Sequence, residues 1–137
     1  MDEQHLPEAE VTRKIIGCSM KVHSTLRSGF QEVIYQRALE IEMRKSGIEF
    51  SREHDMPIYY GNERIGTRRV DFLVEGKISV ELKAIAELDK VHIAQALNYL
   101  ETYDIQVGLL INFGAKSLQF HRLLNKKFKF NPQNIIH

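Results

Sequence analysis

The run Val107-Gly108-Leu109-Leu110-Ile111-Asn112-Phe113 limits what this chain can fold into more than any other stretch. It is continuously apolar and does not alternate, which is the pattern of a strand buried on both faces. A strand of that kind needs a sheet with helices packed on either side. The neighbouring segments supply them. Residues 11–26 repeat Val11, Ile15, Cys18, Val22 and Leu26 at helical spacing, and Arg27-Ser28-Gly29 breaks the repeat. Residues 30–45 predict a second helix with Ile34, Ala38 and Ile41 on one face, stopped by Gly47. Residues 88–102 predict a third with Ile93, Leu97 and Leu100 as its core face. Between the second and third helices the period changes. Residues 48–60 and 64–75 read as strands joined at Gly61-Asn62, and residues 78–83 form another strand after the Gly76-Lys77 turn. A last extended stretch covers residues 118–124. The order is α-α-β-β-β-α-β with a further β, an α/β fold with a mixed sheet of four or more strands flanked by helices.

At 137 residues the chain is long enough for one core, so residues 1–137 are read as a single domain, with a core of about 11–124 and a basic tail over 125–137. Nineteen basic and 18 acidic side chains leave a formal charge of +1, which excludes a coat that holds nucleic acid by bulk electrostatics; any phosphate binding must be local. The one cysteine, Cys18, excludes an internal disulfide and a cysteine-built zinc or iron–sulfur site, and its neighbours make it an ordinary core residue. Residues 1–5 are acidic and polar, unlike a secretory signal, and no apolar run approaches the length of a membrane span. The expectation is a cytoplasmic protein with no membrane partner.

Chemistry is suggested by polar residues inside strands. Asp71 stands between Val70 and Phe72, and Glu81 and Lys83 flank Leu82. Residues i and i+2 of a strand share a face, so Glu81 and Lys83 point the same way, and pairing through the Gly76-Lys77 turn would bring Asp71 to that face. Two carboxylates held away from bulk water repel unless one is protonated or a cation intervenes. Hard oxygen ligands favour magnesium (Mg2+) or manganese. A nearby ammonium can orient a metal-bound water and offset charge on a phosphoryl oxygen. The plain alternative is a structural salt bridge of Lys83 with Asp71 or Glu81, and these residues taken alone favour it. On the second helix Glu32, Tyr35 and Leu39 share a face; on the third, Gln95 and Tyr99 are neighbours with His92 one turn earlier. Gln95 and Tyr99 could hold a nucleic-acid backbone or a water, or could simply be surface and core.

Gly29-Phe30-Gln31-Glu32-Val33-Ile34-Tyr35 matches a G-x-x-E-x-x-Y signature. With Ile15-Ile16-Gly17, Val22-His23, Ala38-Leu39, Asp71, Val80-Glu81-Leu82-Lys83-Ala84, Gln95-x-x-x-Tyr99 and residues 108–113, the chain resembles the GxxExxY family of the PD-(D/E)xK nuclease superfamily over roughly residues 11–115. The resemblance implies a restriction-endonuclease-like fold. It implies Asp71 and Glu81 as metal ligands joined by the helix-borne Glu32, Lys83 as the group that positions the attacking water, and Gln95 and Tyr99 as accessory residues. Leu26-Arg27-Ser28 stands where the family often has Gly-Pro, a departure that touches only the loop.

Two function classes follow. One is a Mg2+- or Mn2+-dependent nuclease acting on nucleic acid, DNA foremost. The other is a catalytically silent nucleic-acid-binding or protein-interaction module on the same fold, suggested by the near-neutral charge and small size. A homodimer would serve either. His23 and His92 read as hydrogen-bonded structural histidines before metal ligands or bases. Arg64, Arg68 and Arg69 read as a solvated face, with a phosphate-contact reading added by their place before Asp71. Lys126-Lys127-Phe128-Lys129-Phe130 reads as a frayed basic end before a strand-gripping patch.

Overall fold

Eight elements follow one another in a computed structural model that describes residues 6–129. They are α1 (Ala9–Leu26), α2 (Glu32–Lys45), β1 (Phe50–Tyr60), β2 (Glu63–Val74), β3 (Ile78–Lys83), α3 (Lys90–Thr102), β4 (Val107–Asn112) and β5 (Gln119–Leu124). The predicted order holds, and the further strand is β5. Of the expected basic tail, residues 125–129 are held rather than frayed: Asn125 is buried and donates to the Leu100 and Ile105 carbonyl oxygens, and Lys127 pairs with Glu101. Residues 130–137 lie outside the described residues.

All five strands form one sheet in the order β1-β2-β3-β4-β5. Neighbours are antiparallel except β3 and β4, which are parallel and joined by the α3 crossover. Every residue of β4 is buried, as the apolar run requires. Its Leu109 and Ile111 face the core made with α1 and α2, while Leu110 faces the core made with α3. Gly108 is on the α3 side; a Cβ there would stand 2.7 Å from Ser79 Oγ and 3.0 Å from Leu100 Cδ2, so its lack of a side chain lets α3 seat closely.

One expected helix face needs correction and another is extended. On α2 the buried positions are Tyr35, Gln36, Leu39 and Met43, whereas Ile34 and Ile41 are exposed. Tyr35 decides this, because its ring stacks on Phe113 at 4.9 Å between centroids. On α3 the expected face holds: Leu100 is buried, Ile93 and Leu97 are half-buried in the same core, and Ala96 and Tyr99 join them.

Besides a register shift between Ile58 and Tyr59 near the β1–β2 turn, the sheet is irregular at Asp71. Val70 packs into the α3 core and Phe72 into the α1/α2 core, although residues two apart on a regular strand share a face. The β1–β2 ladder runs Arg52↔Phe72 and resumes at His54↔Val70, omitting Glu53 and Asp71. Glu53 takes a left-handed backbone (φ 54°), which costs a residue other than glycine about 1–3 kcal/mol. The β2–β3 ladder stops at Phe72↔Val80. Strand β2 therefore turns over at Asp71, released from both neighbours.

Candidate active site

At that break the Asp71 side chain replaces the missing backbone ladder. Leu82 N–H donates to Asp71 Oδ2 at 2.7 Å, and the Gln36 side-chain amide donates to Oδ1 at 2.9 Å. Each oxygen keeps a further lone pair. Burial pushes the Asp71 carboxyl above the usual carboxylate range, against the lowering effect of both hydrogen bonds and of Lys83. The sequence led us to expect Asp71 on the same pleat face as Glu81 and Lys83. Instead it reaches them from the gap between β2 and β3, because β2 turns over there.

Glu81 and Lys83 stand at the carboxyl end of β3, opposite Val80 and Leu82, which point into the α1/α2 core. Burial also raises the Glu81 carboxyl; Arg68 and Lys83 pull it down and Asp71 pushes it up. Glu32 opens α2, where a helix N-terminus favours negative charge. Although that residue is exposed as a whole, partial burial of its carboxyl is the largest cause of a raised pKa. Asp71 and Glu81 push it further, and Lys83 opposes them. The structure thus brings Glu32, Asp71, Glu81 and Lys83 within one another's electrostatic reach.

The G-x-x-E-x-x-Y stretch explains where Glu32 stands. Gly29 takes φ 119°, a conformation open to glycine, in the turn after α1. Tyr35 donates its hydroxyl hydrogen to the Arg27 carbonyl and accepts from Phe30 N–H at 3.2 Å, so one side chain pins both ends of the turn. Gln36, one turn after Glu32, went unnoticed in the sequence; its signal is the i+4 spacing from that carboxylate.

Across the sheet, Arg68, Glu81, Val91, Ala94, Gln95 and Asn98 line a cleft of about 600 Å³. Gln95 is exposed on its α3 wall. Tyr99 is fully buried beneath, its hydroxyl without a hydrogen-bond partner among the described residues, and burial pushes its pKa up to about 12. His23 and His92 are both hydrogen-bonded within the fold: His23 Nε2 lies 2.9 Å from the Ala115 carbonyl oxygen, and His92 Nδ1 accepts from Asp89 N–H in the box that caps α3. Arg69 pairs with Asp55 on β1 and Arg64 with Thr67. Cys18 is buried, 3.4 Å from Ser46 Oγ.

Among the described residues, no group of three His, Cys, Asp or Glu side chains is gathered as a ready-made metal cage. Magnesium does not ask for one, since it keeps several waters and uses one or two protein carboxylates. Two neighbouring carboxyls with hard oxygen donors and pKa values raised by burial fit such an ion. Among the described residues no helix is long and apolar enough to cross a membrane.

Comparison with known proteins gives the architecture a place. The crystal structure of SSO0001 is similar, with a TM-score of 0.53 and 16% identity over 75% of this chain and 52% of that one. The likeness is one of fold, and the chain spans about half the length of SSO0001. No curated protein matches the sequence. The model of the PD-(D/E)XK nuclease superfamily matches residues 9–123, a stretch that holds both the broken strand and the Glu81-Leu82-Lys83 run. With five strands, helices on both faces and this match, the chain belongs to the PD-(D/E)XK nuclease superfamily.

Proposed function

We propose that the protein is a metal-dependent nuclease that hydrolyses phosphodiester bonds in nucleic acid, DNA foremost, with Mg2+ (or Mn2+) as its ion. The observation that carries this reading is Asp71, a half-buried carboxylate lifted out of the sheet ladder and set beside Glu81 and Lys83. Asp71 and Glu81 would hold the ion, with Glu32 acting from α2 directly or through water. When bound, the ion supplies an acidified water and neutralises charge on a phosphoryl oxygen.

The remaining roles fall to the chain's own groups. Leu82 N–H and the Gln36 amide fix the Asp71 carboxylate so that it need not reorganise. The Lys83 ammonium hydrogen-bonds the attacking water and offsets charge that builds on the phosphoryl group. Gln95 lines the approach from α3, and Tyr99, buried beneath it, backs the cleft with its ring against Arg68. The G-x-x-E-x-x-Y turn supports membership of the GxxExxY family, a cytoplasmic setting suits the single cysteine, and a homodimer would present two such clefts to one substrate.

A catalytically silent binding module is the competing reading, favoured by the fact that both Asp71 oxygens already have protein donors. The two separate in one assay. Purified protein is incubated with single-stranded, duplex and branched DNA and with RNA, in magnesium or manganese, beside Asp71→Ala and Lys83→Ala. Cleavage that needs the ion and is lost at least a hundredfold in both variants supports the nuclease. Binding without cleavage supports the silent module, and cleavage unchanged in both variants points to a contaminant.

A further inference from the structure

Arg68 leaves β2 three residues before Asp71 and lies against α3. Its Nη1 donates to Asn98 Oδ1 at 2.8 Å, its Nη2 donates to the Gln95 carbonyl, and its guanidinium carbon lies 5.1 Å from the centre of the Tyr99 ring. A guanidinium has five N–H donors, so two are used in these anchors. Among the described residues the others meet no acceptor, although Arg68 lines the same cleft as Glu81. Its neighbours differ: Arg69 is in a two-pronged pair with Asp55, and Arg64 is tied to Thr67. Arg68 is thus a cation held by a neutral amide, a carbonyl and an aromatic face, with no carboxylate in direct contact among the described residues, although its field reaches Glu81 at the edge of an acidic centre.

We propose that Arg68 is the phosphate anchor of this cleft, gripping one backbone phosphate of the nucleic acid and so setting which phosphodiester lies over Asp71 and Glu81. The inference rests on the nuclease reading for the identity of the strand it grips. The chemistry favours it on three counts. The planar fork matches a phosphate with two parallel hydrogen bonds. Its three anchors fix the side chain beforehand, which reduces the entropy lost on binding. A chain of formal charge +1 has to place its phosphate contacts locally.

The competing role is a tether between β2 and α3. Binding of a fluorescein-labelled single-stranded DNA is followed by anisotropy across a salt series in magnesium, in the Lys83→Ala background so that the probe stays intact. The expected result is a salt slope lower by about one in Arg68→Gln, kept in Arg68→Lys and kept in Asn98→Ala, which removes an anchor but not the charge. An unchanged slope in Arg68→Gln overturns the proposal. So does a slope lost in Arg68→Lys as fully as in Arg68→Gln with matching losses of Tm, which marks a tether, and so does a parent that fails to bind the probe. The nuclease reading fails differently: there the chain with Lys83 intact binds the probe, loses one unit of slope in Arg68→Gln, and never cuts.

Discussion

Asp71, Glu81 and Glu32 all have pKa values raised chiefly by burial, so the folded chain holds their protons more tightly than the unfolded chain does. The stability tied to that difference is fully present below the ordinary carboxylate range and is lost as pH rises through the raised values. Thermal unfolding in a chelator is expected to show Tm falling from about pH 4 toward neutrality. Asp71→Asn should flatten that fall and raise Tm near pH 7, since the new amide oxygen can still accept from Leu82 N–H while its NH2 donates to a flipped Gln36. A steeper fall in the variant would contradict this sign. Tyr99 gives a second prediction. Its buried hydroxyl lacks a partner among the described residues, so Tyr99→Phe should gain about 1 kcal/mol in urea unfolding, and a loss of stability would contradict this. Of the residues themselves, Asp71, Glu81 and Lys83 were legible because charged groups inside apolar strands need a reason. Gln36 was not, because a polar helix residue shows its worth only when its partner, 35 positions away, is known.

Element order was readable almost throughout, because the change from helical to strand period is strong and glycine marks several of the joins. Faces were harder. Ile34, Ala38 and Ile41 form one apolar stripe on α2 and Tyr35, Leu39 and Met43 another, and packing on Phe113 selects the second. The reversal of β2 was hidden altogether: Val70, Phe72 and Val74 alternate as a regular strand would, yet Val70 and Phe72 enter different cores. The stretch after Lys83 is held just as specifically. Buried Asn112 accepts from Ile85 N–H and Gly114 N–H and donates to the Ile85 carbonyl oxygen, and a Cβ on Gly114 would stand 2.3 Å from the Ile85 backbone. Those are backbone atoms and cannot swing aside. Gly114→Ala should therefore cost about 1–3 kcal/mol in urea unfolding and shift the end of β3, lowering cleavage more than Tm alone explains. Wild-type stability in that variant would show that the loop yields freely.

Over the whole molecule, a parallel β3–β4 pair with its crossover helix places the carboxyl end of β3 at the rim of the sheet, where open α/β folds keep their ligand sites. The fully buried β4 gives that rim a rigid backing, and a near-neutral surface leaves substrate binding to the cleft. The account depends on a cation joining Asp71 to Glu81. Calorimetric titration of magnesium and manganese into the metal-free chain tests this directly, with Asp71→Ala and Glu81→Ala alongside. The account predicts saturable binding in the wild type, weakened at least tenfold in each variant; binding that is absent at millimolar ion, or unchanged without the Asp71 carboxylate, would contradict it.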